Sequence, residues 1–220
     1  MPATSRIALI HATPLAMDPI AQSFRRLWPE AQICNLLDDS LTVDLQAHDG
    51  NIAAMIPRFD TLTRYAIGNG AQGVLFTCSA FGPAIEAARN GLDIPVLKPN
   101  EAMLDEALDR GSRIGLVATF EPAIAPILAE LQDAARLLGK TVEPEAFLVK
   151  DAWAALQAGD QEKHDRLIVD ACAATSGCDV VCFAQFSMTS AAAAAQHRSG
   201  RPTLTTPDSA VNRLKSLILR

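Results

Sequence analysis

Short apolar, β-branched runs alternate along this chain with longer stretches of helical periodicity. Residues 7–10 read as a first buried strand and residues 20–28 as a helix. Residues 31–36 form a weaker strand, and residues 51–69 place Ile52, Met55, Ile56, Phe59, Leu62 and Ile67 at helical spacing. Residues 73–77 and 95–97 supply a third and a fourth strand. Continuous apolar strands between amphipathic helices predict a parallel sheet covered on both faces, because such strands have no solvent side.

The rhythm then restarts. Residues 113–118 resemble a first strand and 123–138 a helix; 142–149, 179–184 and 202–204 read as strands, with helices at 161–175, 191–196 and from about Asp208. One shift of 107 aligns the halves without a gap: Ile7 falls on Ile114, Leu9 on Leu116, Pro19 on Pro126, Gly70 on Gly177, Val74 on Val181, Phe76 on Phe183, Pro95 on Pro202. Apolar, proline and glycine positions recurring in one order at one offset indicate a duplicated lobe. The expected fold is α/β: two similar, duplicated lobes with parallel sheets, packed together with a cleft between them. The expected boundaries are 1–98 plus 207–220 for the first lobe and 99–206 for the second.

Composition narrows the function. The 220 residues are 49 % apolar but only 5 % aromatic, which suits helices packed on a sheet. Net charge is -6 and no basic stretch is dense enough to follow a phosphate backbone, so no nucleic-acid partner is expected. No apolar run reaches the roughly 18 residues of a membrane span. Residues 7–12 are too short for a signal core and run into Thr13-Pro14. The expectation is a cytoplasmic protein without a membrane partner, in a compartment where thiols stay reduced. Five cysteines (Cys34, Cys78, Cys172, Cys178, Cys182) lack disulfide-type spacing, and no second pair of ligands completes a zinc site around Cys178 and Cys182.

Ligands of open parallel sheets bind beyond the carboxyl ends of the strands. Two such ends stand out, residues 74–83 and 180–189. Cys78 follows its strand directly, small residues Ser79 and Ala80 come next, and Pro83 suits the first turn of a helix. Free amides at that helix start are expected to lower the thiol pKa from about 8.5. The competing reading of Cys78 is a small core cysteine. Cys182 lies inside an apolar strand, Cys34 in a weak strand, Cys172 in a helix and Cys178 ahead of a strand, so these four are assigned no chemistry. The first strands end in His11-Ala12-Thr13-Pro14 and Ala118-Thr119-Phe120-Glu121, whose hydroxyls and amides suit a carboxylate. Thr13 and Thr119 read equally well as helix N-caps, and His11 reads as a structural histidine ahead of a base. His48, His164 and His197 fall in polar surroundings and are expected at the surface.

On residues 7–14, Thr77-Cys78-Ser79, residues 115–119 and residues 179–188, the chain resembles the aspartate/glutamate/hydantoin racemase superfamily, which includes arylmalonate decarboxylases and maleate isomerases. The resemblance implies two Rossmann-like lobes related by a pseudo-two-fold duplication, with the active site in the inter-lobe cleft, no pyridoxal phosphate, no metal and no other cofactor, and a homo-oligomer. Racemases of that kind carry one cysteine at each mirrored strand end: one thiolate removes the proton beside a carboxylate and the other thiol returns one. This chain departs from that pattern, because the offset carries Cys78 onto Gln185, whose amide is neither acid nor base at neutral pH.

The expected function is a cofactor-independent racemase or isomerase-type enzyme acting at the carbon next to a carboxylate or carbonyl. Cys78 is its acid/base thiol, and Gln185 replaces the second cysteine. Arylmalonate-type decarboxylation, maleate-type cis–trans isomerisation and a non-catalytic binding protein are the alternatives. The expected substrate-binding residues are His11, Thr13, Ser79, Ala80, Thr119, Phe120, Gln185, Phe186 and Ser187. Neither strand-end motif holds an arginine or lysine, which favours a monoacid, a hydantoin or an aryl-substituted acid over aspartate or glutamate.

Overall fold

The computed structural model describes residues 4–219. The chain separates into two compact units, one made of residues up to Pro99 together with those from Ala210 onward, the other of Asn100–Ser209. In the first unit β1 (Arg6–His11), α1 (Met17–Leu27), β2 (Gln32–Leu37), α2 (Leu41–Ala47), α3 (Ile56–Gly68), β3 (Gly73–Phe76), α4 (Gly82–Arg89) and β4 (Val96–Leu97) follow one another. The sheet is parallel throughout, in the order β2-β1-β3-β4. Ile7 to Ile10 and all of β3 are buried, as central parallel strands must be.

Helix α3 begins later than its periodicity predicts. Residues 52–55 form a 3-10 turn instead, started by Asn51, whose Oδ1 accepts the Ala53 N–H at 3.2 Å. Pro57 then sits in the first turn of α3, where its missing N–H costs nothing. The helix buries Phe59 against Phe76 and Phe81, with ring centroids 5.1 and 4.9 Å apart. Burial of a phenylalanine side chain stabilises by about 2–3 kcal/mol, so this trio anchors α3 over the end of β3.

The second unit repeats the plan with α5 (Glu101–Arg110), β5 (Arg113–Ala118), α6 (Ile124–Leu137), β6 (Glu143–Leu148), α7 (Lys150–Gln157), α8 (Gln161–Ala171), β7 (Val180–Phe183), α9 (Ala192–Ser199) and β8 (Thr203–Thr205). Its parallel sheet has the order β6-β5-β7-β8. The offset of 107 carries β1 onto β5 and β3 onto β7 residue for residue, whereas β2 and β6 stand 111 apart. The second copy is thus longer by four residues before its outer strand, which a gapless alignment misses.

The last helix, α10 (Thr206–Ile218), starts in the second unit and ends in the first. Each fourth strand therefore hands its following helix to the other unit. Helix α5 places Met103, Leu104, Ala107 and Leu108 in the core around Ile114 and Leu131. Helix α10 lies so close to β3 that a Cβ on Gly73 would fall 2.8 Å from Ile218 Cδ1 and 3.1 Å from Leu214 Cδ2. A Cβ there would press on the ends of these two side chains and require them to shift. Helices α2, α5 and α7 were absent from the sequence expectation. The first and last span only seven and eight residues, too few for a clear period, and α5 begins at the expected lobe boundary. No described helix is long and apolar enough to cross a membrane.

Candidate active site

In both sheets the chain leaves the first strand toward one side and returns on the other, so a switch point lies between β1 and β3 and again between β5 and β7. In sheets of this kind ligands bind beyond the carboxyl edge at such a point. The first switch point gathers His11 to Thr13 and Thr77 to Ala80; the second gathers Ala118 to Phe120 and Ala184 to Ser187.

Cys78 follows β3 in extended conformation and introduces a 3-10 turn, Ser79–Phe81, that precedes α4. Its thiol is partly exposed, and Ser79 and Ala80 are open to solvent. Burial pushes the Cys78 pKa up, and the Ala80 N–H, which donates to the sulfur, only partly offsets it. The expected lowering by helix amides is therefore reversed. The 3-10 turn separates the sulfur from the start of α4, so a single amide reaches it while desolvation acts on the whole thiolate. At neutral pH Cys78 is a protonated thiol with one donor in place for the anion.

His11 is wholly buried, at 0 % exposure, and both ring nitrogens are engaged. Nε2 lies 2.9 Å from Asn35 Oδ1 on β2, and Nδ1 lies 2.8 Å from Thr77 Oγ1. An amide oxygen only accepts, so Nε2 carries the proton and Nδ1 accepts from the Thr77 hydroxyl. Burial lowers the His11 pKa against the opposing pull of Asn35, which keeps the ring neutral. Thr13 has its side chain turned to its own loop: Oγ1 accepts the Leu15 N–H at 3.4 Å and caps the 3-10 turn Pro14–Ala16. Lys98, just past β4, comes near Gly82 but is ion-paired to Glu86 at 2.5 Å.

At the second switch point Gln185 occupies the position that corresponds to Cys78. Its Oε1 accepts the Thr119 N–H at 2.9 Å and the Thr119 hydroxyl at 3.2 Å. The backbone N–H can only donate, so the orientation of the amide is fixed and Nε2 is turned away from Thr119. That Nε2 is buried without a hydrogen-bond partner. Leaving such a donor unmet costs about 1–3 kcal/mol, which marks it as a place for an acceptor. Thr119 is thus a clamp for Gln185 rather than a helix cap. Phe120 is 41 % exposed and packs on Trp153 of α7, centroids 5.0 Å apart, while Phe186 and Ser187 are partly buried. The neighbouring Glu121 is paired with Lys150 at 3.0 Å.

Cys172, Cys178 and Cys182 are buried, and burial pushes the thiols of Cys172 and Cys182 up to about 11 and about 12. His48 and His197 are exposed. His164 is not: it is at 0 % exposure, with Nδ1 2.7 Å from Asp165 Oδ1. It shares a face of α8 with Ile168 and leads on to Cys172, a four-residue spacing that the polar neighbours Lys163 and Asp165 disguise. Asn35, Thr77 and Trp153 were not among the expected site residues. Asn35, an amide in a strand otherwise rich in apolar residues, is the one that carried a readable signal.

The family model of Asp/Glu/hydantoin racemase matches residues 13–217. No curated protein matches the chain by sequence. Among solved structures, allantoin racemase from Klebsiella pneumoniae is similar with a TM-score of 0.69 at 18 % identity, over 98 % of this chain and 88 % of that one. An aspartate racemase homologue from Pyrococcus horikoshii gives a TM-score of 0.70 at 15 % identity, covering 98 % of this chain and all (100 %) of that one. A variant of arylmalonate decarboxylase gives 0.64 at 17 % identity, covering 98 % and 93 %. These likenesses establish the fold.

Proposed function

The protein belongs to the Asp/Glu/hydantoin racemase family, and on that premise we propose that it is a cofactor-independent isomerase acting at the carbon beside a carboxylate or carbonyl, with Cys78 as its acid/base thiol. The observation that carries this reading is the position of Cys78 at a switch point, partly exposed, with the Ala80 N–H on its sulfur. A proton beside a carboxylate is very weakly acidic. Its removal needs a base in contact and donors aimed at the developing oxyanion. The Ala80 amide stabilises the thiolate that takes the proton. In the second unit we assign the unmet Gln185 Nε2 to a substrate oxygen, with Thr119 holding the amide in place. Gln185 accepts no proton and His11 is enclosed, so in this reading the second proton comes from water.

The raised Cys78 pKa favours one further reading, decarboxylation of an aryl-substituted malonate. There the C–C bond to the departing carbon dioxide breaks, its electron pair forms an enolate, and the thiol S–H protonates that carbon once. Water then restores the thiol. A thiol that stays protonated suits this single donation. For either reaction we take the substrate to be a small monoacid, hydantoin or aryl-substituted acid, met in the reducing cytoplasm where Cys78 stays free.

The test is a screen of amino acids, hydantoins, malonates and maleate for solvent deuterium uptake, carbon dioxide release and isomer formation. It is repeated on Cys78→Ser and Cys78→Ala. Turnover that survives both substitutions removes Cys78 from the chemistry. Ligand-induced thermal stabilisation without any turnover would establish a binding protein instead.

A further inference from the structure

The first unit contains a polar chain that the second replaces with alanine. Asn35 on β2, His11 at the end of β1 and Thr77 just past β3 are linked by contacts of 2.9 and 2.8 Å, and Thr77 is peptide-bonded to Cys78. The offset between the units carries His11 to Ala118 and Thr77 to Ala184. Asn35 lies opposite Leu9 in the first sheet, and Ala146 lies opposite the corresponding Leu116 in the second. The same parallel sheet, in the same order, therefore forms around three alanines. A buried imidazole and hydroxyl are costly unless fully paired, and a fully paired network fixes the groups it joins. The fold has no need of this one, and it occurs only beneath the strand end that carries the thiol.

We propose that Asn35, His11 and Thr77 form a positioning relay that holds the end of β3, and so the Cys78 sulfur, in reacting position. The proposal rests on Cys78 as the reacting thiol. None of the three is a catalytic residue, since His11 is enclosed and Thr77 donates inward to it. Among the described residues the imidazole has no carboxylate partner. From β2 it meets the Asn35 amide; past β2, Asp38 reaches the His11 carbonyl only through its backbone N–H at 2.9 Å, and its carboxylate is held by Arg58 at 2.6 Å. From β3 it meets the Thr77 hydroxyl, with Cys78 as the next titratable group. The relay therefore orients the thiol without placing a charge beside it.

Alkylation of Cys78 by iodoacetamide, followed as a function of pH by peptide mass spectrometry, reads the position of the thiol directly. The variants are Thr77→Val, Thr77→Ser and the triple change Asn35→Ala, His11→Ala and Thr77→Ala, which copies the second unit. The triple variant is expected to fold. It and Thr77→Val should displace the alkylation profile and lower kcat by on the order of 10–100-fold with a smaller change in KM. Thr77→Ser should restore both. Wild-type profiles and kcat in Thr77→Val and in the triple variant would overturn the relay. Failure of the triple variant to fold would overturn the claim that the sheet does not need it. A displaced profile supports the relay even where Cys78→Ser keeps turnover, an outcome that removes only the proposed reaction.

Discussion

The two switch points share a topology and a register but distribute their polar groups in opposite ways. At the β1/β3 end the hydrogen bonds lie beneath the surface, between His11 and Thr77, and the group at the tip is a partly exposed thiol. At the β5/β7 end the layer beneath is alanine, and the group at the tip, Gln185, is itself tied to Thr119. Duplication has kept the strand positions that fill the core and released the positions just beyond them. That is where packing constrains a residue least and chemistry most. On the function proposed above, one end would move a proton and the other would hold an oxygen.

The sharpest way to break this contrast is to remove the thiol. Cys78→Ser should lower proton exchange at the substrate carbon by about 10²–10⁴-fold with folding unchanged, measured by deuterium incorporation. The relay variants come next, at one to two orders of magnitude. Gln185→Ala tests the other end. Loss of one donor to a substrate oxygen should weaken binding by about tenfold, seen in KM or in ligand-induced stabilisation, with kcat less affected. Thr119→Val should move KM in the same direction, because the amide loses its hydroxyl anchor. An effect of Gln185→Ala on kcat alone would show that the amide meets the transition state and not the ground state.

The smallest effect is in stability. His11 is held neutral with its pKa lowered, so below about pH 6.5 the unfolded chain binds a proton that the folded chain refuses. The folded state loses that contribution as pH falls from about 6.5 through the lowered value. His11→Gln should flatten this acid limb in thermal melts. Equal acid slopes in both proteins would place the titration elsewhere.

Much of the fold was legible because the signal lay in uninterrupted apolar strands. The segments 113–118 and 73–77 needed at most one residue of adjustment, and the repeat arithmetic aligned both strand ends. Connections were less legible. Helices α2 and α7 are too short to show a period, and the four added residues before β6 are invisible to a constant offset. At the site, the sequence pointed to Cys78 and Gln185 and to what the amide lacks. It could not give the direction of the thiol pKa, which is set by how deeply Cys78 is buried once the chain folds, with the Ala80 amide as a partial offset. Nor could it pair Asn35 with His11, since that contact depends on strand register.

The trade of closing helices has a consequence for how the chain is made. Gly73 is synthesised before the second unit, but the side chains that pack against it, Leu214 and Ile218, are synthesised after that unit. The second unit is contiguous from Asn100 to Ser209. The unit that carries the thiol is therefore interrupted by the other, and the helix turns that cover the back of β3 are made only after it. Removing the turns that carry Leu214 and Ile218 would expose the back of β3 and so damage the unit that carries Cys78.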